Sequence, residues 1–173
     1  NGFEVENHDE KMKRLHELFA ALTSDDQEKD GGAYVDFLLK QPGVTRDQVG
    51  AVGYCYTGQM ALRTAAARPG KVAAAASFHG GFLVTDDDPL SAYRQLGPIT
   101  ARLYFGHAVD DSTATPEQVA TLEAALRDWH GAFQSEVYEG ALHGWTVPGR
   151  DVYNEKQAER AHAKLLDLLE RNL

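Results

Sequence analysis

Apolar positions along the chain follow two rhythms. Met12, Leu15, Phe19 and Leu22 recur at steps of three and four, which places them on one face of a helix. Asn7-x-x-Glu10, just ahead, has the form of a capping box that opens such a helix. Ser24-x-x-Gln27 repeats the signal and predicts a second helix to about Lys40, with Tyr34, Phe37, Leu38 and Leu39 as its core contacts. Gly31-Gly32 weakens that helix, since each glycine costs about 1 kcal/mol in a helix interior, and Pro42-Gly43 stops it. Beyond Pro42 the pattern changes. QVGAVGYC, KVAAAASFHGG, TARLYFGH and AFQSEVYEG are short apolar runs that predict strands. The alanines of the second run would suit a helix equally well, but Phe78-His79-Gly80-Gly81 ends it early. Between these runs lie TGQMALRTAAARPG and TPEQVATLEAALRDWHG, both helical in pattern, the latter with Pro116 at its start and Gly131 at its end. A long helix over 151–173 closes the chain. Strands alternating with helices predict βαβ units, a parallel sheet and an α/β fold.

Composition narrows the functional classes. The 173 residues suffice for one domain with a sizeable core, and the 43% hydrophobic and 25% charged content is that of a globular protein. No apolar run is long enough to span a membrane, and the polar start NGFEVENHDEKMKR does not resemble a signal peptide. A first residue other than Met suggests a processed, cut or partly cloned chain. A single cysteine cannot form an internal disulfide, which fits a reducing, cytoplasmic compartment. The net charge of −9 argues against nucleic acid or an anionic membrane as partner. The acidic run Asp86-Asp87-Asp88 reads most simply as a solvated loop. The His and Asp residues show no metal-ligand spacing, and no cofactor is implied.

The chemistry gathers where predicted strands end, as sites do in open parallel sheets. Cys55 ends the first strand, Asp110 and Asp111 follow the third, and His143 follows the fourth. Nucleophile, acid, histidine is the chain order of α/β-hydrolases. A nucleophile on a sharp strand-to-helix turn needs small residues two places away on each side. Gly53 satisfies that demand before Cys55, and β-branched Thr57 satisfies it poorly after. The following helix N-terminus would stabilise a thiolate, and the Tyr56 N–H would face the oxyanion of an acyl intermediate. His143 would take the Cys55 proton and return it, with an aspartate holding its tautomer. Each residue alone has a plainer reading: Cys55 as a small buried hydrophobe, Asp110 and Asp111 as turn or cap residues, His143 as a turn residue. His79 and His107 also lie at strand ends and compete with it as structural or functional histidines. The conjunction of three groups after three separate strands favours triad chemistry. Tyr54, Tyr56, Phe82 and Trp145 are the candidate lining of an apolar substrate pocket.

The segments VGAVGYCYTGQMALRTAAARP, ASFHGG, LYFGHAVDDSTATPEQVATLEAAL and YEGALHGWTVPGRDVYNEKQAER together resemble the dienelactone hydrolase family. That resemblance implies an α/β-hydrolase fold and hydrolysis of a small ester or lactone by a Cys-Asp-His triad. By motif position it places the nucleophile at Cys55, the histidine at His143 and the acid at Asp111, with Asp110 as second choice. Three departures stand out. Thr57 replaces a glycine that is usual after the nucleophile. Val147 stands where members acting on dienelactone carry an arginine for the substrate carboxylate; Arg150 is near it in sequence. The strands that precede the nucleophile's strand in the family, with a second oxyanion N–H and a glutamate near the thiol, have no counterpart in this sequence. One domain over 1–173, shortened at its N-terminal side, is therefore expected, with an exposed sheet edge that a homodimer would cover. Two other readings compete. A shortened hydrolase domain would serve as a binding or oligomerisation module with little activity. The glutamine-amidotransferase and DJ-1-like group also carries a cysteine on a sharp turn, but its histidine generally follows closely.

Overall fold

The four apolar runs pair into one parallel sheet whose spatial order is their order in the chain. The computed structural model describes residues 7–85 and 87–173. The strands are β1 (Val49–Tyr54), β2 (Val72–Phe78), β3 (Arg102–His107) and β4 (Phe133–Val137). The helices are α1 (His8–Ala21), α2 (Ser24–Leu38), α3 (Thr57–Ala67), α4 (Pro116–Trp129) and α5 (Glu155–Asn172). Among them no helix is long and apolar enough to cross a membrane. Asp86, the first residue of the acidic run, lies outside the described residues.

The sheet is covered on both faces, so its central strands are largely apolar, as a parallel sheet requires. Ala75, Leu103 and Phe105 face one layer, with Leu62 and Ala65 of α3 and Leu122 and Leu126 of α4. Ala74, Ala76, Phe78 and Tyr104 face the other, with Leu165 and Leu168 of α5. The alanine run of β2 is thus a strand, with Ala74, Ala75 and Ala76 fully enclosed between two layers. Tyr54 is level with Phe78, Phe78 with Gly106, and His107 with Val137. The carboxyl ends therefore form one rim, from which the segments carrying Cys55, His79, Asp111 and His143 all emerge.

Helix boundaries follow their caps. Asn7 caps α1 by accepting from the Asp9 N–H. The capping box of α2 lies one residue earlier than the sequence suggested: Thr23 and Asp26 form it, not Ser24 and Gln27. Thr115 and Gln118 make a second box ahead of Pro116 in α4, which ends at His130 in a left-handed conformation. The closing helix starts at Glu155 under an Asn154 cap rather than at 151. A short 3₁₀ turn over Ala92–Gln95 was not anticipated.

The core face of α2 corrects the sequence reading. Tyr34, Phe37 and Leu38 are 72%, 65% and 46% exposed, whereas Gln27, Gly31, Gly32 and Val35 are buried. Leu39 alone of the expected contacts packs against the core. The glycine pair that weakens the helix is the reason for its orientation. A Cβ at Gly31 would overlap the Thr64 side chain of α3, and one at Gly32 would press on the Arg68 guanidinium. The glycines let α2 approach α3 closely, and Arg68 then reaches Asp36 at 2.7 Å. Replacing Gly31 with leucine is expected to lower stability by about 1–3 kcal/mol through overpacking. The exposed change Phe37→Ser should alter it by less than about 0.5 kcal/mol. Urea denaturation of both variants checks this, and the reverse order would contradict the assigned face.

Candidate active site

Cys55 sits at the junction of β1 and α3 with φ 54, a left-handed conformation that non-glycine residues rarely adopt. The surrounding sequence makes this turn feasible. A Cβ at Gly53 would fall into the backbone of Thr57, and one at Gly58 would collide with Ser77 and Gly80. Thr57 is not the obstacle its branching suggested. Its hydroxyl donates to the Tyr54 carbonyl at 2.7 Å and accepts from the Tyr54 N–H at 2.8 Å, which clasps the turn shut. The Cys55 carbonyl accepts from the Gly58 and Gly81 N–H groups at 3.0 and 3.2 Å. Cys55 as a residue is exposed.

Asp111 and His143 meet beside this turn. Asp111 Oδ2 lies 2.6 Å from His143 Nδ1. The other carboxylate oxygen accepts from the Thr113 N–H at 2.9 Å and from its hydroxyl at 2.7 Å. Asp111 is 4% exposed, whereas Asp110 points outward from a left-handed turn position. Of the two adjacent aspartates, the chain thus brings Asp111 to the imidazole. The Val109 N–H donates to the Ala141 carbonyl at 2.8 Å and ties the two loops together.

The electrostatics form one coupled set. The bond to Asp111, then the nearby Cys55, raises the His143 pKa to about 9. The nearby His143 is the largest influence on Cys55 and holds its thiol below the ordinary value, aided by the Tyr56 N–H. Burial pushes Asp111 upward, but its bonds to His143 and Thr113 outweigh that and leave it below the usual carboxylate range. Such a set keeps His143 charged near neutral pH and eases ionisation of the Cys55 thiol. With Nδ1 engaged by Asp111, Nε2 is the nitrogen left for Cys55.

Two other histidines at strand ends stay neutral. His79 is buried against Cys55, and burial, then His143, lowers its pKa to about 4. His107 lies across the sheet, bonded to Ser135 at 3.1 Å, and burial likewise lowers its pKa to about 4. His107 does not join the site.

The candidate pocket residues divide. Tyr54 is 38% and Phe82 50% exposed, flanking the turn. Tyr56 is half-buried, stacked on Phe19 of α1 at 4.0 Å, and accepts from Gln27 at 3.2 Å. Trp145 is a correction: it is fully buried, stacked on Tyr138 at 4.9 Å and T-shaped to His79, so it presents no exposed wall to a substrate. It supports the loop bearing His143 from beneath. Val147 is exposed, and Arg150 approaches Gly144. Among the described residues no group of three His, Cys, Asp or Glu side chains could hold a metal.

Sequence reasoning missed Thr113, Thr146 and the position of His79. Asp111-x-Thr113 is a turn-forming pattern in which a carboxylate accepts from the residue two places on, so that cue was present. Nothing in the sequence indicated Thr146.

Comparison with known proteins adds family and fold. The model of the dienelactone hydrolase family matches residues 2–173. A curated Bradyrhizobium protein named "Probable 2-oxo-3-(5-oxofuran-2-ylidene)propanoate lactonase" is 27% identical over 82% of this chain and 58% of its own length. The chain therefore spans little more than half of that relative. A dienelactone hydrolase-like promiscuous phosphotriesterase from metagenomic libraries superposes with TM-score 0.77, at 20% identity, over 96% of this chain and 69% of its own. A Klebsiella pneumoniae structure assigned by name to the dienelactone hydrolases gives TM-score 0.79 at 19% identity, over 88% of this chain and 63% of that one. These structural likenesses establish the α/β-hydrolase fold.

Acid should destabilise the molecule through its neutral histidines. His79 and His107 have folded pKa values near 4, below the unfolded value of 6.5. The unfolded chain binds their protons first, so stability is expected to fall as pH drops from about 6.5 to 4. The Asp111 contribution disappears further down, as pH falls below its unfolded value of 3.8. His143 has the opposite sign: its contribution is full below 6.5 and is lost as pH rises through about 9. Urea midpoints measured from pH 7 to 4 check this. A flat profile would contradict neutral burial of the two histidines.

Proposed function

The chain belongs to the dienelactone hydrolase family, and from that membership and the geometry at Cys55 we propose that it hydrolyses a small ester or lactone through a cysteine nucleophile. The observation that carries the reading is the 2.6 Å Asp111–His143 bond beside an exposed cysteine on a left-handed turn. The Cys55 thiolate attacks the carbonyl carbon. The negative charge moves to oxygen, where the Tyr56 N–H at the start of α3 offers a donor. The C–O bond to the alcohol breaks as His143 Nε2 gives its proton to the departing oxygen. This leaves an acyl-thioester on Cys55 and a neutral imidazole. His143 then removes a proton from water, whose oxygen attacks the thioester and releases the acid and the thiolate. In a lactone the alcohol remains tethered to the acid. Asp111 stays ionised and holds His143 in the tautomer this sequence needs.

Exposed Tyr54 and Phe82 beside the thiol suit an acyl group with a flat apolar portion. Val147 offers no cation to a substrate carboxylate, so an anionic dienelactone would depend on Arg150, which approaches Gly144.

Chromogenic esters and small lactones test the proposal. Cys55→Ala is expected to abolish turnover, and mass spectrometry should find a transient acyl adduct on Cys55. Asp111→Asn should lower kcat by about 10²–10⁴, as loss of a tautomer-fixing carboxylate does elsewhere. Asp110→Asn should change kcat by less than about threefold. Undiminished turnover in Cys55→Ala would end the proposal.

One observation favours a second reading, a binding or oligomerisation module. β1 is an edge strand whose Val52 is 45% exposed. An open edge of this kind invites pairing with another chain. That reading expects a robust oligomer without ester turnover, and sedimentation showing a monomer would remove it.

A further inference from the structure

Contacts from several elements meet at one buried side chain that the proposed chemistry does not use. His79 follows β2 and is 2% exposed. Its φ is 40, a costly conformation for a residue with a side chain. Its backbone N–H donates to the Gly106 carbonyl of β3 at 2.7 Å, which holds it there. On one side of the ring, Nδ1 accepts from the backbone N–H of Cys55 at 3.1 Å. On the other, Nε2 lies 2.8 Å from the Thr146 hydroxyl, three residues beyond His143. The ring meets His143 edge-on at a centroid distance of 5.0 Å, and Trp145 at 5.0 Å.

We infer that His79 is a positioning residue, a neutral imidazole that braces the nucleophile turn against the loop carrying His143. The inference deepens the proposed thiol hydrolase, and it rests on that site's geometry. An acceptor at Nδ1 fixes the tautomer, so Nε2–H donates to Thr146. One ring thereby sets the spacing between the peptide that carries Cys55 and the loop that carries its base. The Cys55 N–H also reaches the Phe78 carbonyl at 3.2 Å, so strand and imidazole share it. With that N–H committed inward, the next one, on Tyr56, stays free to face the sulfur and the substrate oxygen.

The brace works only while uncharged. A proton on Nδ1 would set donor against donor at the Cys55 amide. It would also place a second cation beside His143. The groups facing this ring are Cys55 and Tyr54 from the β1 turn, Asp111 from the β3 exit, His143 from the β4 exit, and Arg150 beyond it. Burial and then His143 oppose protonation most strongly; the residue's own backbone and Asp111 favour it, and Arg150, the smallest influence, opposes it. The result is a pair of imidazoles with opposite assignments: His143 carries the proton and His79 excludes it.

The test reads the thiol directly and needs no substrate. The rate of Cys55 alkylation by iodoacetamide is followed by intact mass across pH 5–10. His79→Leu removes both ring contacts at similar volume. It is expected to raise the alkylation midpoint by about one pH unit and to slow the reaction at pH 7 about tenfold. His79→Asn restores an acceptor near Nδ1 and should recover most of that loss. Thr146→Val frees the far side of the ring and should shift the midpoint in the same direction by less. Where ester turnover is measurable, kcat should fall with alkylation while KM changes less than about twofold. A folded His79→Leu with a wild-type alkylation profile overturns the inference, as does His79→Asn no better than His79→Leu. If His79→Leu does not fold, an unshifted Thr146→Val overturns it. Because alkylation requires no ester, a wild-type chain that turns over nothing would sink the hydrolase proposal and leave this measurement standing.

Discussion

A chain that leaves a strand and enters a helix within two residues must place one residue in the left-handed region, and here that residue is Cys55. The rest of the site depends on this constraint. It demands a side-chain-free Gly53 beneath and Gly58 behind. It uses the Thr57 hydroxyl as a clasp on Tyr54. It commits the Cys55 carbonyl to Gly58 and Gly81, so the thiol is left at the rim at the start of α3. Strain of about 1–3 kcal/mol at such a position persists only where the surroundings over-determine it. They do so here: β1, α3, the β2 exit and His79 all hold the same peptide.

The sheet does the remaining work of assembly. Parallel strands in consecutive order send their loops out on one side, so residues far apart in sequence meet without long detours. Asp111 reaches His143 because the loops after β3 and β4 are joined by the Val109–Ala141 bond. Thr113 occupies the other oxygen of Asp111, which leaves the carboxylate one direction in which to bind. The proton balance then divides the three histidines of the strand ends. His143, paired with a carboxylate and a thiol, holds its proton. His79 and His107, buried without a carboxylate partner, do not.

Much of this was legible in the sequence, for definite reasons. Strand exits are marked by Gly and by abrupt loss of apolar pattern, so Cys55, the aspartate pair and His143 could be placed at one rim before any coordinates. The family resemblance added the preference for Asp111, but spacing alone could not separate two neighbours. The choice depends on a backbone turn that rotates Asp110 outward and on the hydroxyl of Thr113. Trp145 looked like a pocket aromatic because it neighbours His143. It is buried because the loop turns back over Tyr138, a tertiary contact with no local signature. Hydrophobicity alone points to the wrong face of α2, because size decides which residues meet α3. Close helix approach selects the glycines, and Tyr34 and Phe37 are left in solvent. Thr57 shows the same limit: its branching argued against a tight turn, while its hydroxyl closes that turn.

The central claim is that the carboxylate of Asp111 and the thiol of Cys55 together keep His143 protonated at neutral pH. Nitrogen-15 NMR of histidine-labelled protein reads this directly, with the His143 signals assigned by their loss in His143→Gln. Both ring nitrogens of His143 are expected to carry protons at pH 7.5, with a titration midpoint near 9. A neutral His143 imidazole at pH 7.5, titrating near 6.5 like an isolated side chain, would contradict it.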